Sequence, residues 1–297
     1  MQDRRTPAAT QADDAVTCAE GTTALVLDSP HSGSNYPADF KHACSRTALR
    51  EAEDTFVDAL WDFAPTHGAT LVCAQFPRTY IDANRALDEI DTELLNGPWE
   101  GPINHASAKV RLGKGLVWRK LDNGTPIYGE RLSPDMLQAR IDGCWVPYHA
   151  AVERAIEAAA RRKGFVIHLN CHSMPARGGE FSTDFPGILH DDFVLGDRDG
   201  STADPALTRW IERFLNSRGN TVSLNYPYKG VELVKRHGDP GRRRHSIQIE
   251  INKRLYMNEK TLAPNEGFAQ VQQVLRELTE TLLGWDGFSD ISALRSS

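Results

Sequence analysis

The residues best suited to chemistry in this 297-residue chain are two histidines and a glutamate, each at the end of, or inside, an apolar run. His31 follows the run over residues 24–27 and the turn Asp28-Ser29-Pro30; His172 closes the run FVIHLNCH; Glu250 lies within IQIEIN. Side chains alternate along an extended strand, so Val166, His168, Asn170 and His172 share one face and Phe165, Ile167, Leu169 and Cys171 the other. By the same period Gln248, Glu250 and Asn252 oppose Ile247, Ile249 and Ile251. A carboxylate buried there without partners would cost several kcal/mol. Taken singly, each histidine is more often a hydrogen-bonded structural residue, and Glu250 can pair with Arg244 or Arg254. Taken together they suit zinc hydrolysis, in which neutral imidazoles and a carboxylate hold Zn²⁺ and an unligated glutamate takes a proton from water. A fourth element, Asn84-Arg85, follows the segment over 79–83 and can form a bidentate fork for a carboxylate, so the substrate is expected to be an acid; an ordinary Asp82 to Arg85 turn pair is the alternative.

Composition narrows the choices. The chain carries 40 acidic and 34 basic side chains, a net charge of -6 and 40% apolar residues, which excludes wholesale disorder and a general nucleic-acid binder. Lys235, Arg236, His237, Arg242, Arg243, Arg244 and His245 form a local basic stretch, read either as a solvated turn or as a mobile loop that meets an anionic small molecule. No run approaches the length of about 20 apolar residues that a membrane span needs, and the start MQDRRTPAATQADDAVT has no apolar segment behind its arginines, so a cytoplasmic location is expected. Five scattered cysteines without CxxC spacing predict neither a disulfide framework nor a thiolate zinc site. A cysteine hydrolase using Cys171 fails on geometry, because its neighbour His172 points to the opposite strand face.

Elements must hold these groups in place. Residues 1–20 read as a loose tail and 21–297 as a single catalytic domain. Strands are predicted over 24–28, 69–74, 165–172, 221–225 and 246–252, with an extended piece over 79–83. Ser45 caps a helix carrying Leu49, Phe56, Leu60 and Phe63 and ending before Gly68. Further helices are expected over 134–163, kinked at Pro147, over 205–217 and over 264–283. Residues 88–133 read as a long irregular insertion. Alternating strands and helices imply an α/β fold with a largely parallel sheet covered on both sides, whose ligand site lies beyond the carboxyl ends of the central strands.

The segments DSPHSGSNYP, RTYIDANRAL, CHSMP and IQIEINKRLYM, in this order, together resemble the N-formylglutamate amidohydrolase (N-formylglutamate deformylase) family, a distant relative of zinc carboxypeptidases and aspartoacylase-type deacylases. The resemblance spans nearly the whole chain. It implies a three-layer α/β/α fold with a mixed, mainly parallel, zinc-carboxypeptidase-like sheet, and one catalytic Zn²⁺ per chain. Carried onto this sequence, it makes His31 and His172 metal ligands, Glu250 the general base and acid, and Asn84 with Arg85 the grip on the substrate's carboxylate. Carboxypeptidase-type relatives supply their acidic ligand three residues after the first histidine, where this chain has Ser34. Asp54, expected on the helix after the first strand, is the third ligand implied instead, with Asp82 as its substitute. The family also often shows Asp two residues before the second histidine, where this chain has Asn170. The implied reaction is hydrolysis of N-formyl-L-glutamate to formate and glutamate, with His237 or Arg236 engaging the oxyanion or the second carboxylate. A deacylase or carboxypeptidase acting on another N-acyl amino acid or small peptide is the near alternative, and a non-catalytic acid-binding protein the distant one. The expected partner is a small acidic N-acyl amino acid, with no nucleic acid and no membrane.

Overall fold

The apolar runs lie side by side. The computed structural model describes residues 15–179 and 186–284. Among these, strands β1 (Val16–Ala19), β2 (Leu25–Ser29), β3 (Thr70–Ala74), β4 (Val166–Met174), β5 (Phe193–Gly196), β6 (Val222–Leu224) and β7 (Arg244–Asn252) form one sheet in the order β1-β3-β2-β4-β7-β5-β6. The central four run parallel. β1 and β5 pair antiparallel with β3 and β7, and β6 runs parallel to β5, so the sheet is mixed and mainly parallel. The helices are α1 (Arg46–Glu51), α2 (Val57–Leu60), α3 (Ala108–Arg111), α4 (Pro134–Arg140), α5 (Val146–Lys163), α6 (Pro205–Ser217), α7 (Glu232–His237) and α8 (Phe268–Leu283).

Strand alternation decides which layer each side chain joins. Leu25, Leu27, Ile167, Leu169, Cys171, Ile247, Ile249 and Ile251 pack with Leu207, Ile211 and Leu215 of α6 and Val271, Leu275 and Leu278 of α8. Full burial of each such Leu or Ile contributes about 2 kcal/mol. Val26, Val72 and Val166 face the other way, against Tyr148, Val152 and Ile156 of α5. This second face also carries Asp28, His168, Asn170, His172 and Glu250, all buried. It forgoes part of the apolar gain, and its polar groups persist only because they find partners. No helix among the described residues is long and apolar enough to cross a membrane.

Several elements differ from the sequence expectation. Of the tail, residues 1–14 lie outside the described residues, while Val16–Ala19 adds a four-residue, largely exposed edge strand too short to stand out. β5 carries too short an apolar run to stand out. The helix capped by Ser45 ends at Glu51, and the chain resumes as α2 only after Phe56, whose φ of 68° lies in the left-handed region. Residues 79–83 form turns rather than a strand. The break before Pro147 is a π-helical turn over Ile141–Trp145, closed by Val146 N–H donating to the Ile141 carbonyl; Pro147 has no N–H for the regular ladder. The final helix begins at Phe268 instead of 264. Residues 88–133 carry only a 3₁₀ turn over Thr92–Leu94 and the short α3, and their Leu95, Leu116, Val117, Trp118 and Ile127 are buried in the α5-side core.

Candidate metal centre

β2 delivers His31. Its loop lies hard against the end of β3: a Cβ on Gly33 would stand 2.4 Å from the Gln75 carbonyl carbon, and Asn35 N–H donates to the Gln75 carbonyl at 2.9 Å. The interruption between α1 and α2 delivers Asp54, so this carboxylate is on an irregular segment and not on a helix as expected. Its backbone N–H donates to the His31 carbonyl at 3.0 Å, which ties the two segments together. β4 delivers His172. The two imidazoles meet edge to face with centroids 4.7 Å apart. Asp54 Oδ2 lies 2.9 Å from His172 Nδ1 and 3.4 Å from His31 Nδ1. Ligand-type atoms of His31, Asp54 and His172 all fall within 4.8 Å of one another, and all three residues are buried.

Each imidazole is held from behind. His31 Nε2 lies 2.7 Å from Asp82 Oδ1, and His172 Nε2 lies 2.8 Å from Asn170 Oδ1. Asp82 is thereby the orienting partner of His31 rather than a member of the three-residue group. It also accepts bonds from Asn84 N–H, Trp118 Nε1 and Arg78 Nη2 at 2.9, 3.0 and 3.2 Å. Arg78 reaches Asp54 Oδ1 with Nη1 at 3.4 Å, so one guanidinium spans both carboxylates. Burial alone would raise Asp54 and Asp82. The neighbouring His172 and His31 rings and Arg78 outweigh it at Asp54, and Arg85, His31 and Arg78 outweigh it at Asp82, holding both carboxyls well below the ordinary range.

These residues fit a metal. His31 Nδ1 is buried with no hydrogen-bond partner. Two imidazole nitrogens and a carboxylate oxygen, with hydrogen-bonded Nε2 atoms behind, match the kind of donor set and supporting shell that catalytic zinc sites use.

Glu250 is the cross-strand partner of His172 in the β4–β7 register, and neighbouring strands lie about 4.8 Å apart. The three groups singled out in the sequence therefore converge. Gln248 Nε2 donates to Glu250 Oε1 at 2.8 Å. Burial pushes the Glu250 carboxyl up to about 7, with His172 acting against the shift and Asp54 with it.

Asn84 reaches the centre. Its Oδ1 accepts from Leu233 N–H at 3.0 Å and its Nδ2 lies 3.1 Å from His172 Nε2. Arg85 turns elsewhere, Nε donating to the Lys114 carbonyl and Nη1 to the Asn84 carbonyl at 3.0 Å each, with Nη2 3.8 Å from Asp82 Oδ2. Asn84 and Arg85 thus do not make a joint fork. Arg78 and Lys114, given no role by the sequence reading, flank Trp118 at 4.8 and 5.3 Å from its ring. Burial, with Lys109, Arg78 and Arg85 nearby, pushes Lys114 down to about 8. The signal for Arg78 was its place in the same segment as Asp82, Asn84 and Arg85; nothing local marked Lys114.

The basic stretch is not a mobile loop. It forms α7, a 3₁₀ turn over Pro240–Arg242 and the start of β7. Arg236 pairs with Glu232 at 2.9 Å and lies over Trp145, while Arg244 pairs with Glu157. His237 is buried 5.7 Å from the His168 ring, and His168 is four strand residues, about 13 Å, from His172. His237 is therefore packed beside His168, and Arg236 is engaged by Glu232 and Trp145. Cys171 lies in the opposite apolar layer, its thiol pushed well up by burial.

The family model for N-formylglutamate amidohydrolase matches residues 23–257. Two curated relatives, N-formylglutamate deformylases of Pseudomonas putida and Pseudomonas aeruginosa, are 28% and 26% identical over 90% and 92% of this chain and 94% and 97% of theirs. The chain is also similar to the crystal structure of N-formylglutamate amidohydrolase from Ralstonia eutropha, with a TM-score of 0.87, 47% identity and coverage of 91% of this chain and 98% of that one. A gene product of Agrobacterium tumefaciens shares the fold at a TM-score of 0.67 and 21% identity, over 92% of this chain and 96% of that one.

Proposed function

Because the chain belongs to the N-formylglutamate amidohydrolase family, we propose that it is a zinc-dependent amidohydrolase that cleaves N-formyl-L-glutamate to formate and L-glutamate. The observation carrying this reading is the buried His31, Asp54 and His172 group with Glu250 opposite His172 on the adjoining strand. His31, Asp54 and His172 would hold the metal. The chemistry zinc supplies in such a site is Lewis acidity, which acidifies a coordinated water toward a pKa of about 7 and polarises a carbonyl oxygen.

The protein's own groups do the rest. Glu250, with one oxygen held by Gln248, takes a proton from the attacking water and delivers it to the amide nitrogen as the C–N bond breaks. The formyl carbon gains the water oxygen and the amine leaves neutral. Arg78, paired with Asp54 and Asp82, Arg85, paired with Asp82, and Lys114, paired with Asp122, bring three cations to this region, which suits a dicarboxylic substrate. Asn84 Nδ2 offers a donor next to His172.

Metal analysis of purified protein should find about one zinc per chain. Zinc-loaded enzyme should be assayed against N-formyl, N-acetyl and N-succinyl glutamate and aspartate, with N-formylglutamate turned over fastest. One methyl group in a pocket changes discrimination by only about 1–3 kcal/mol, so a faster acetyl substrate would shift the reading to another N-acyl amino acid. Binding without turnover of any member would favour the acid-binding alternative.

A further inference from the structure

His31 and His172 turn the same atom, Nδ1, toward Asp54, but they are held from behind by different chemistry. His31 Nε2 faces a carboxylate, Asp82. A carboxylate only accepts, so it keeps the ring proton on Nε2 and the Nδ1 lone pair toward the centre. His172 Nε2 faces the amide of Asn170. An amide presents an acceptor at one end and a donor of nearly the same shape at the other, so it orients a ring only if something else fixes the amide.

Asp28 is that fixture. Its Oδ1 accepts from Asn170 Nδ2 at 2.9 Å and lies 2.9 Å from His168 Nε2, while Tyr148 donates to Oδ2 at 2.6 Å. Asp28 is fully buried and its cross-strand partner in the β2–β4 register is Asn170. Burial alone would raise this carboxyl, but the His168 ring and the bonds from His168, Tyr148 and Asn170 hold it below its ordinary value. A reversed Asn170 amide would set oxygen against oxygen at Asp28. Asn84 cannot replace it as acceptor, because Leu233 N–H occupies the Asn84 oxygen; the Asn84 Nδ2 donor, 3.1 Å from His172 Nε2, also reaches the Asn170 oxygen at 3.5 Å, which is its acceptor when the ring proton is on Nε2. The opposite tautomer, with the proton on Nδ1, would set the Nε2 lone pair 2.8 Å from the Asn170 oxygen.

We propose that Asp28 is a positioning residue for the metal centre, locking the Asn170 amide so that its oxygen accepts the Nε2 proton of His172 and Nδ1 stays free to coordinate. The missing aspartate two residues before His172 is thus present one step further back, on the neighbouring strand. A carboxylate at position 170 itself would lie within hydrogen-bond distance of Asp28, and two such groups could not both be ionised. The inference rests on the zinc reading above.

The test is zinc affinity by chelator competition, together with the hydrogen-bonded Nε2–H resonance of His172 in the zinc-loaded protein. Asp28→Asn should weaken zinc by about 10- to 100-fold and shift or abolish that resonance. Asn170→Leu, with Asp28 intact, should do the same. Asp28→Asn combined with Asn170→Asp exchanges amide and carboxylate while satisfying Tyr148, and should recover most of the affinity and the resonance. Wild-type zinc affinity in Asp28→Asn, or in Asn170→Leu should the first variant not fold, overturns the proposal. So does an exchange variant as weak as Asp28→Asn, which would mark Asp28 as merely structural. A wild-type protein that binds no zinc would instead overturn the zinc reading itself.

Discussion

Glu250 and Arg78 can be separated by what each substitution leaves behind. Glu250→Gln keeps the shape of the side chain and removes only its capacity to carry a proton, so zinc content should be unchanged while kcat falls by about 10² to 10⁴. Turnover near wild type would take Glu250 off the proton path. Arg78 binds Asp54 and Asp82 through separate nitrogens, a span that a single ammonium does not reproduce. Arg78→Lys should therefore lower zinc affinity by about tenfold or more in a chelator competition, and Arg78→Ala should in addition cost about 3–5 kcal/mol in urea unfolding by leaving two buried carboxylates without their cation. Unchanged affinity in both would remove Arg78 from the support of the centre. At this scale the sequence was informative where a polar residue broke an apolar alternation, as at His172 and Glu250. It was silent at Arg78 and Lys114, since an arginine or lysine in an irregular segment looks the same whether it faces solvent or two buried aspartates. Asp54 was reached only through the family resemblance.

Apolar spacing reports which side chains are buried more reliably than the path of the backbone between them. Leu49, Phe56, Leu60 and Phe63 recur as one helix would place them, yet the chain breaks between Ala52 and Phe56, and that break turns Asp54 inward under the His31 carbonyl. The buried strands β4 and β7 were legible because both their faces have to be filled, whereas the short, exposed edge strand β1 read as tail. The basic stretch misled for a related reason: charge clustering in sequence says nothing of whether a helix will bury its histidine and pair its arginine locally. The loop carrying His31 makes a sharper demand. At Gly33 a Cβ would collide with backbone of Ala74, Gln75 and Phe76 at 2.4–2.6 Å, and backbone cannot step aside as a flexible side chain can. Gly33→Ala should cost about 1–3 kcal/mol by urea denaturation and loosen zinc with it, whereas Gly143→Ala, with nothing within 4 Å, should be near neutral. Equal stability of the two variants would mean that the loop yields more easily than its packing implies.

The molecule as a whole is poised against acid by histidines it keeps neutral. His149 stacks on Trp145 at 3.6 Å, donates from Nε2 to the Ala83 carbonyl at 2.8 Å and has a buried, unpartnered Nδ1, so a second proton would have no acceptor. Burial pushes it down to about 4. Burial, reinforced by the neighbouring His168, pushes His237 down to about 3. Unfolded histidine titrates near 6.5. Below that pH the unfolded chain therefore binds protons that the folded chain refuses, and stability falls with pH from about 6.5 toward 4 at up to about 1.4 kcal/mol per unit for each histidine. Glu250, raised to about 7, acts in the opposite sense between 7 and its unfolded value near 4.5 and offsets roughly one of the two. Asp28, Asp54 and Asp82, all lowered, add their losses only below about pH 4. The windows are separable: wild type should lose about 2 kcal/mol more than His149→Gln between pH 7 and pH 5 in urea titrations, and parallel losses in the two proteins would show that His149 takes its proton without unfolding.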